Sequence, residues 1–193
     1  MQPQFSLSGP FLQHTLEAAF NANAWDILSA IERGFRAQVD VKGKLAEWFL
    51  FKELENLRVA GVLDSVTWHD ADGRPDFDLA TRGRTLRLEC KNVRSGKIPK
   101  KMGDNYRVEI QKTRNAVGGG PSRGYRVDEF DILAACLFNQ AGTWDYLFVR
   151  AVDLEQRSNY PDYLEIMQPV STSPRKVWKG TVAEILRDLA PET

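Results

Sequence analysis

Cysteine is scarce: only Cys90 and Cys136 occur in 193 residues, both inside apolar stretches. Two isolated thiols exclude a disulfide framework and a cysteine-built zinc cluster, and they read as buried thiols in a reducing compartment. Long hydrophobic runs are missing too. The longest, Ile132 to Phe138, has seven residues, against about 20 for a membrane-spanning helix, so no membrane partner is expected. The start, MQPQFSLSGPF, lacks a basic segment followed by an apolar one. No secretory leader is therefore expected, and the location expected is cytoplasmic. His14 and His69 show no metal-ligand spacing, and Gly118–Gly120 lacks the Lys-Ser/Thr of a phosphate-binding Walker loop. With no serine elbow or Cys–His pairing either, no organic cofactor is expected.

What remains is ordinary globular composition, 42% hydrophobic and 27% charged, in a length that suits one domain. The 26 basic and 26 acidic side chains cancel, which on its face argues against a nucleic-acid partner. Resolved along the chain, the balance is −3 over residues 1–90, +8 over 91–126 and −5 over 127–193. A basic block of that density between acidic flanks is the footprint expected of a polyanion site.

Apolar spacing predicts two short helices between Phe11 and Arg36, broken near Asn21-Ala22-Asn23, and a stronger helix from Lys44 to Leu57. Strands are expected at Ser65–Trp68, Asp76–Thr81 and Thr85–Lys91, the last two joined by a tight Arg82-Gly83 turn. Asp104–Val117 carries both periodicities. Val108 and Ile110 alternate, yet Tyr106, Ile110, Thr113 and Val117 share a helical face, with Asp104 as N-cap and Gly118 onward as stop; a helix is favoured. Two further strands, Phe130–Phe138 and Trp144–Ala151, flank a turn at Asn139–Gly142, and an amphipathic helix closes the chain near Thr181–Leu189. The five tryptophans read as core or interface anchors rather than a base-stacking platform.

The chemistry lies on two adjacent strands. Pro75-Asp76-Phe77-Asp78 stands on one and Glu89-Cys90-Lys91 on the next, with twelve residues between Asp76 and Glu89. Strand alternation puts Asp76 and Asp78 on one face, and Glu89 and Lys91 on one face of the partner. Leu86, Leu88 and Cys90 then point to the opposite, buried side. Two carboxylates and an ammonium converging at a sheet end suit magnesium, which takes oxygen ligands and commonly binds one or two carboxylates plus substrate phosphate. A nearby lysine can orient or deprotonate the attacking water, or stabilise the charged transition state.

With these residues the chain resembles the PD-(D/E)XK nuclease superfamily, which includes type II restriction endonucleases and Holliday-junction resolvases. The resemblance covers Lys42 to Phe138 in the core order helix, three strands, helix, strand. It implies an α/β restriction-endonuclease-like fold, with a central mixed sheet flanked by helices. It divides a single nuclease domain into an N-terminal helical extension (1–41), a catalytic core (42–138) and a C-terminal extension (139–193). Asp76 matches the motif aspartate, Glu89 the acidic position and Lys91 the motif lysine, with Asp78 a rival to Asp76. The backbone carbonyl of Cys90 matches a further metal ligand. Glu47, in Gly43-Lys44-Leu45-Ala46-Glu47, resembles the glutamate of the first core helix, which completes a second metal site or steers the lysine. The implied activity is Mg²⁺-dependent cleavage of double-stranded DNA, with Mn²⁺ substituting, by a homodimer of the type II restriction kind. A structure-specific repair nuclease or junction resolvase, and a non-catalytic DNA-binding subunit, are the alternatives on the same core.

Candidate DNA contacts follow from the basic block. Arg107, Gln111 and Arg114 fall on one face if Asp104–Val117 is helical, with Lys112 beside them. Arg123 and Arg126 belong to a glycine-rich loop with Tyr125, and Lys97, Lys100 and Lys101 flank Pro99 as sequence-independent phosphate contacts.

Overall fold

Alternation along the middle strands sets the architecture. In the computed structural model, which describes residues 14–71, 73–96, 106–112 and 123–189, five strands form one mixed sheet. They are β1 (Ser65–Trp68), β2 (Phe77–Thr81), β3 (Arg84–Asn92), β5 (Ile132–Cys136) and β6 (Tyr146–Arg150), in spatial order β1-β2-β3-β5-β6. Only the β3–β5 pair is parallel; the others are antiparallel. A parallel pair needs a long crossover, and residues 93–131 supply it.

The chain divides into two compact units, Met1–Val41 and Lys42–Thr193. In the first, α1 (Thr15–Phe20) opens on a capping box between His14 and Glu17 and stops at Asn21, whose φ of 48° is left-handed. Asn23 caps α2 (Ala24–Arg33) through its side chain, which accepts from the Asp26 N–H at 2.9 Å. These are the two short helices of the sequence, with the break where it was expected. The third helix, α3 (Phe35–Val59), starts well before Lys44. Lys42-Gly43 looked like a start signal, but a glycine inside a helix costs only about 1 kcal/mol.

In the second unit the central sheet separates two cores. On one side Ala46, Leu50 and Leu54 of α3, with Val182 and Ile185 of α5 (Val182–Asp188), pack on Phe77, Leu79, Leu88, Ile132, Ala134 and Phe148. On the other side Leu133, Ala135, Leu147 and Val149 meet Val93, Val108, Ile110, Phe130, Leu164, Val170 and Trp178. All five residues of β5 are buried, as befits a strand covered on both faces. Among the described residues the second core is covered by loops and small strands: β4 (Tyr106–Glu109) with β9 (Met167–Val170), and β7 (Gln156–Arg157) with β8 (Tyr160–Leu164).

Two expectations are corrected here. Tyr106–Glu109 is a strand, not part of a helix: Val108 and Ile110 are buried while Arg107 and Glu109 are more exposed, and Val108 pairs with Gln168 of β9. Partner-strand pairing has overridden an ambiguous local pattern. The helix expected between the third and fourth core strands is thus replaced, within its described part, by a strand. The turn at Asn139–Gly142 is instead a short helix, α4 (Phe138–Ala141), ended by Gly142 at φ 74°. Described helices flank the sheet on one face through α3 and α5. No described helix is long and apolar enough to cross a membrane.

Candidate active site

The β2–β3 hairpin fixes the site. Thr81 pairs with Arg84, so Arg82 and Gly83 alone make the turn, with φ of 48° and 74°. Two left-handed residues are what a two-residue hairpin of matching twist requires. The resulting register sets Phe77 against Leu88 and carries Asp76, one step beyond, to Glu89. The ladder continues there: the His69 N–H donates to the Asp76 carbonyl at 2.8 Å, and the Cys90 N–H donates to Asp76 Oδ2 at 2.7 Å. Asp76 is therefore held by backbone, not by a neighbouring side chain that a ligand would have to displace.

Glu89 is 2% exposed and points away from α3, into the second core. Its two oxygens differ. Oε1 accepts from the Tyr125 hydroxyl at 2.6 Å and from Lys91 Nζ. Oε2 is buried and has no hydrogen-bond partner among the described residues. An unsatisfied buried oxygen on a carboxylate is costly, on the order of a few kcal/mol, and a hydrogen-bond donor or a cation would relieve it. Asp76 adds a second carboxyl. Burial first, then the like charge of Glu89, push its pKa up to about 7, while Lys91 pulls the other way and Glu47 adds to the rise. Asp76, Glu89, Lys91 and Glu47 thus act on one another electrostatically.

Burial is the largest single influence on the Lys91 ammonium and lowers its pKa, but Glu89, Tyr125 and Asp76 together outweigh it and hold the pKa above the ordinary lysine value. The group is a fixed cation. Glu47 comes from α3, largely buried, and its Oε2 accepts from Lys44 Nζ at 2.9 Å and from Trp68 Nε1 at 3.0 Å. Asp78 goes elsewhere: His69 Nε2 lies 2.8 Å from its Oδ2, and Arg74 approaches to 3.6 Å. Shared strand parity therefore does not bring Asp78 into the Asp76 cluster. The Cys90 thiol is buried among apolar side chains on the α3 side, which raises its pKa well above normal and leaves its backbone as the part available to a ligand.

Among the described residues no group of three or more His, Cys, Asp or Glu side chains forms a ready-made metal cage. Two carboxylates and a carbonyl still meet the needs of magnesium, which keeps several waters and shares substrate phosphate. The donor set and the orphaned Glu89 oxygen fit such an ion.

The basic residues are less uniform than expected. With β4 a strand, Arg107, Gln111 and Arg114 form no helical row: Arg107 lies on β4, Gln111 donates to Glu109, and Arg114 falls outside the described residues, as do Lys97, Lys100 and Lys101. Lys112 pairs with Glu129 and sits 5.5 Å from the Tyr125 ring centre, and Arg123 Nε donates to the Lys112 carbonyl at 2.8 Å. Both are tied into the protein. Arg126 remains exposed, paired with Asp128 at 3.2 Å and over Tyr163 at 5.8 Å. Sequence reasoning missed Tyr125 as the partner of Glu89, and Trp68 and Lys44 as the partners of Glu47. Lys44 lies three residues before Glu47, a helix-face spacing that could have revealed it; Tyr125 and Trp68 carry no such local signal.

Compared with known proteins, the chain matches no family model and no curated protein. Among solved structures it is similar to a bacterial homing endonuclease, I-Ssp6803I, at 17% sequence identity and a TM-score of 0.46, over 71% of this chain and 81% of that one.

Proposed function

We propose that this chain is a metal-dependent DNA endonuclease, hydrolysing phosphodiester bonds with Mg²⁺, or Mn²⁺ in its place, in the manner of a type II restriction enzyme. The observation that carries the reading is Glu89: a buried carboxylate with one oxygen held by Tyr125 and Lys91, and the other unpartnered beside Asp76. Asp76, Glu89 and the Cys90 carbonyl would hold the ion. When bound, it neutralises phosphodiester charge and makes water a better nucleophile. Lys91, a fixed ammonium, positions the attacking water and stabilises the negative charge that develops on the phosphoryl oxygens. Its hydrogen bond to Glu89 favours these roles over proton abstraction. Glu47, oriented by Lys44 and Trp68, adds negative potential on the α3 side and supports a second ion. Asp78 is occupied by His69 and Arg74 and is left outside the ligand set.

One such cluster per chain serves one strand, so cleavage of duplex DNA implies a homodimer. The test is digestion of mixed duplex DNA with Mg²⁺, followed by sequencing of the product ends. Discrete ends at a short repeated sequence support a restriction enzyme. Dispersed ends, or preferential cutting of four-way or mismatched substrates, move the chain to a structure-guided nuclease. Absence of cleavage together with absence of Mn²⁺ binding leaves a non-catalytic DNA-binding subunit.

A further inference from the structure

Downstream of Lys91, β3 runs into a cleft that the catalytic cluster does not use. Its volume is about 310 Å³, and its described lining is Arg94, Ser95, Gly96, Tyr106 and Arg107. That is the low end of the range for small-ligand sites, and apart from the Tyr106 ring the lining is polar. The two walls are fastened together. Val93 bridges to Val108, and the Arg94 N–H donates to the Arg107 carbonyl at 2.8 Å. Arg94 Nη1 donates to Glu109 Oε2 at 2.8 Å, which orients the guanidinium while its side chain stays 55% exposed. A guanidinium has five donors in a planar fork, so an ion pair through one edge leaves others for a ligand. Arg107 forms no ion pair with a described residue. Among the described residues one acid thus faces two arginines, and the described lining of the cleft keeps a net positive charge.

We infer that this cleft is a backbone subsite for the DNA, in which Arg94 and Arg107 each grip a phosphate of the strand being cut. This rests on the nuclease reading above and adds to it the place where the strand lies. Arg94 follows Lys91 by three residues, just past the end of β3, and so lies at most about 10 Å along the chain from it at ~3.3 Å per residue. Arginine forks match phosphate oxygens in pairs. The Ser95 hydroxyl and the open backbone at Gly96, where an added Cβ would meet nothing within 4 Å, let a bulky sugar–phosphate chain approach. Arg94 carries no motif signature, and nothing in the catalytic pattern singles it out. Contacts of this kind place the duplex without reading its sequence.

The experiment is duplex DNA binding by fluorescence anisotropy over a range of NaCl concentrations, with Ca²⁺ replacing Mg²⁺ to suppress cleavage. It compares the full chain with Arg107→Ala and with Arg94→Ala/Arg107→Ala. Each lost phosphate contact reduces the slope of log K against log salt by about 1. The single variant should therefore lose about one unit of slope and the double about two, with affinity at low salt falling roughly tenfold or more in the double. Thermal unfolding checks the fold. Arg107→Ala breaks no described ion pair, so the single variant carries the test even if loss of the Arg94–Glu109 pair destabilises the double. Wild-type affinity and slope in both variants, with the parent binding and cutting DNA, would overturn the subsite and leave the nuclease standing. A parent chain with no salt-dependent DNA affinity would overturn both.

Discussion

The two faces of β3 differ in what covers them and in what they do. Toward α3 the strand presents Leu86, Leu88 and Cys90 to a core built from one long helix and the C-terminal helix. Away from α3 it presents Glu89 and Lys91, which meet Tyr125 and a core assembled from remote loops and two-stranded ribbons. The apolar face therefore supplies a rigid platform, and the other face spends that rigidity on a buried carboxylate left half satisfied. A two-residue periodicity is enough to put both on one strand. The comparison predicts that stability and chemistry separate by face.

The largest effects belong to the charged face. Lys91→Ala and Asp76→Ala should each lower the cleavage rate by at least about 10²–10³-fold, while DNA binding measured in Ca²⁺ survives. Next comes the apolar face. Leu50→Ala empties a fully buried position, and should reduce unfolding free energy by about 2–5 kcal/mol, with little change in cleavage per folded molecule. Denaturant unfolding beside a rate assay would show whether the two properties part as expected.

Tyr125→Phe sharpens the comparison from within the charged face. It removes the hydroxyl that holds Glu89 Oε1 and so loosens the aim of Oε2. Metal affinity should weaken about tenfold, by the worth of one hydrogen bond to a charged group, about 1.5 kcal/mol, and stability should change less. Calorimetric titration with Mn²⁺ would measure it. A further effect is in pH. Because the pKa of Asp76 is raised from 3.8 to about 7, the metal-free folded state binds more protons than the unfolded chain between those values. Stability should fall as pH rises through that window, and saturating Mn²⁺ should flatten the decline. Thermal unfolding at several pH values, with and without the ion, provides the check.

The apolar face was legible in the sequence because its signals are local. Leu54 lies within the helix expected from Lys44 to Leu57, β1 falls at Ser65–Trp68 as expected, and the hairpin announces itself through Arg82-Gly83. That Asp76, Glu89 and Lys91 lie close together was legible for the same reason, since a fixed hairpin register sets them on one face. The second face was not. β4 has its partner about sixty residues away in β9, where Pro169 interrupts the strand pattern, and proline in a strand hides it from a periodicity search. Separation along the chain also hid Tyr125, which reaches Glu89 across 36 residues. Parity alone also made Asp76 and Asp78 equivalent. Only the side-chain partners His69 and Arg74 separate them.

The central claim is that Asp76 and Glu89 together hold a divalent ion. Its most direct test is calorimetric titration of Mn²⁺ into the full chain and into Asp76→Asn/Glu89→Gln. Saturable binding by the parent, absent from a double variant that still unfolds cooperatively, is the predicted result. Equal binding by both, or none by the parent, would contradict it.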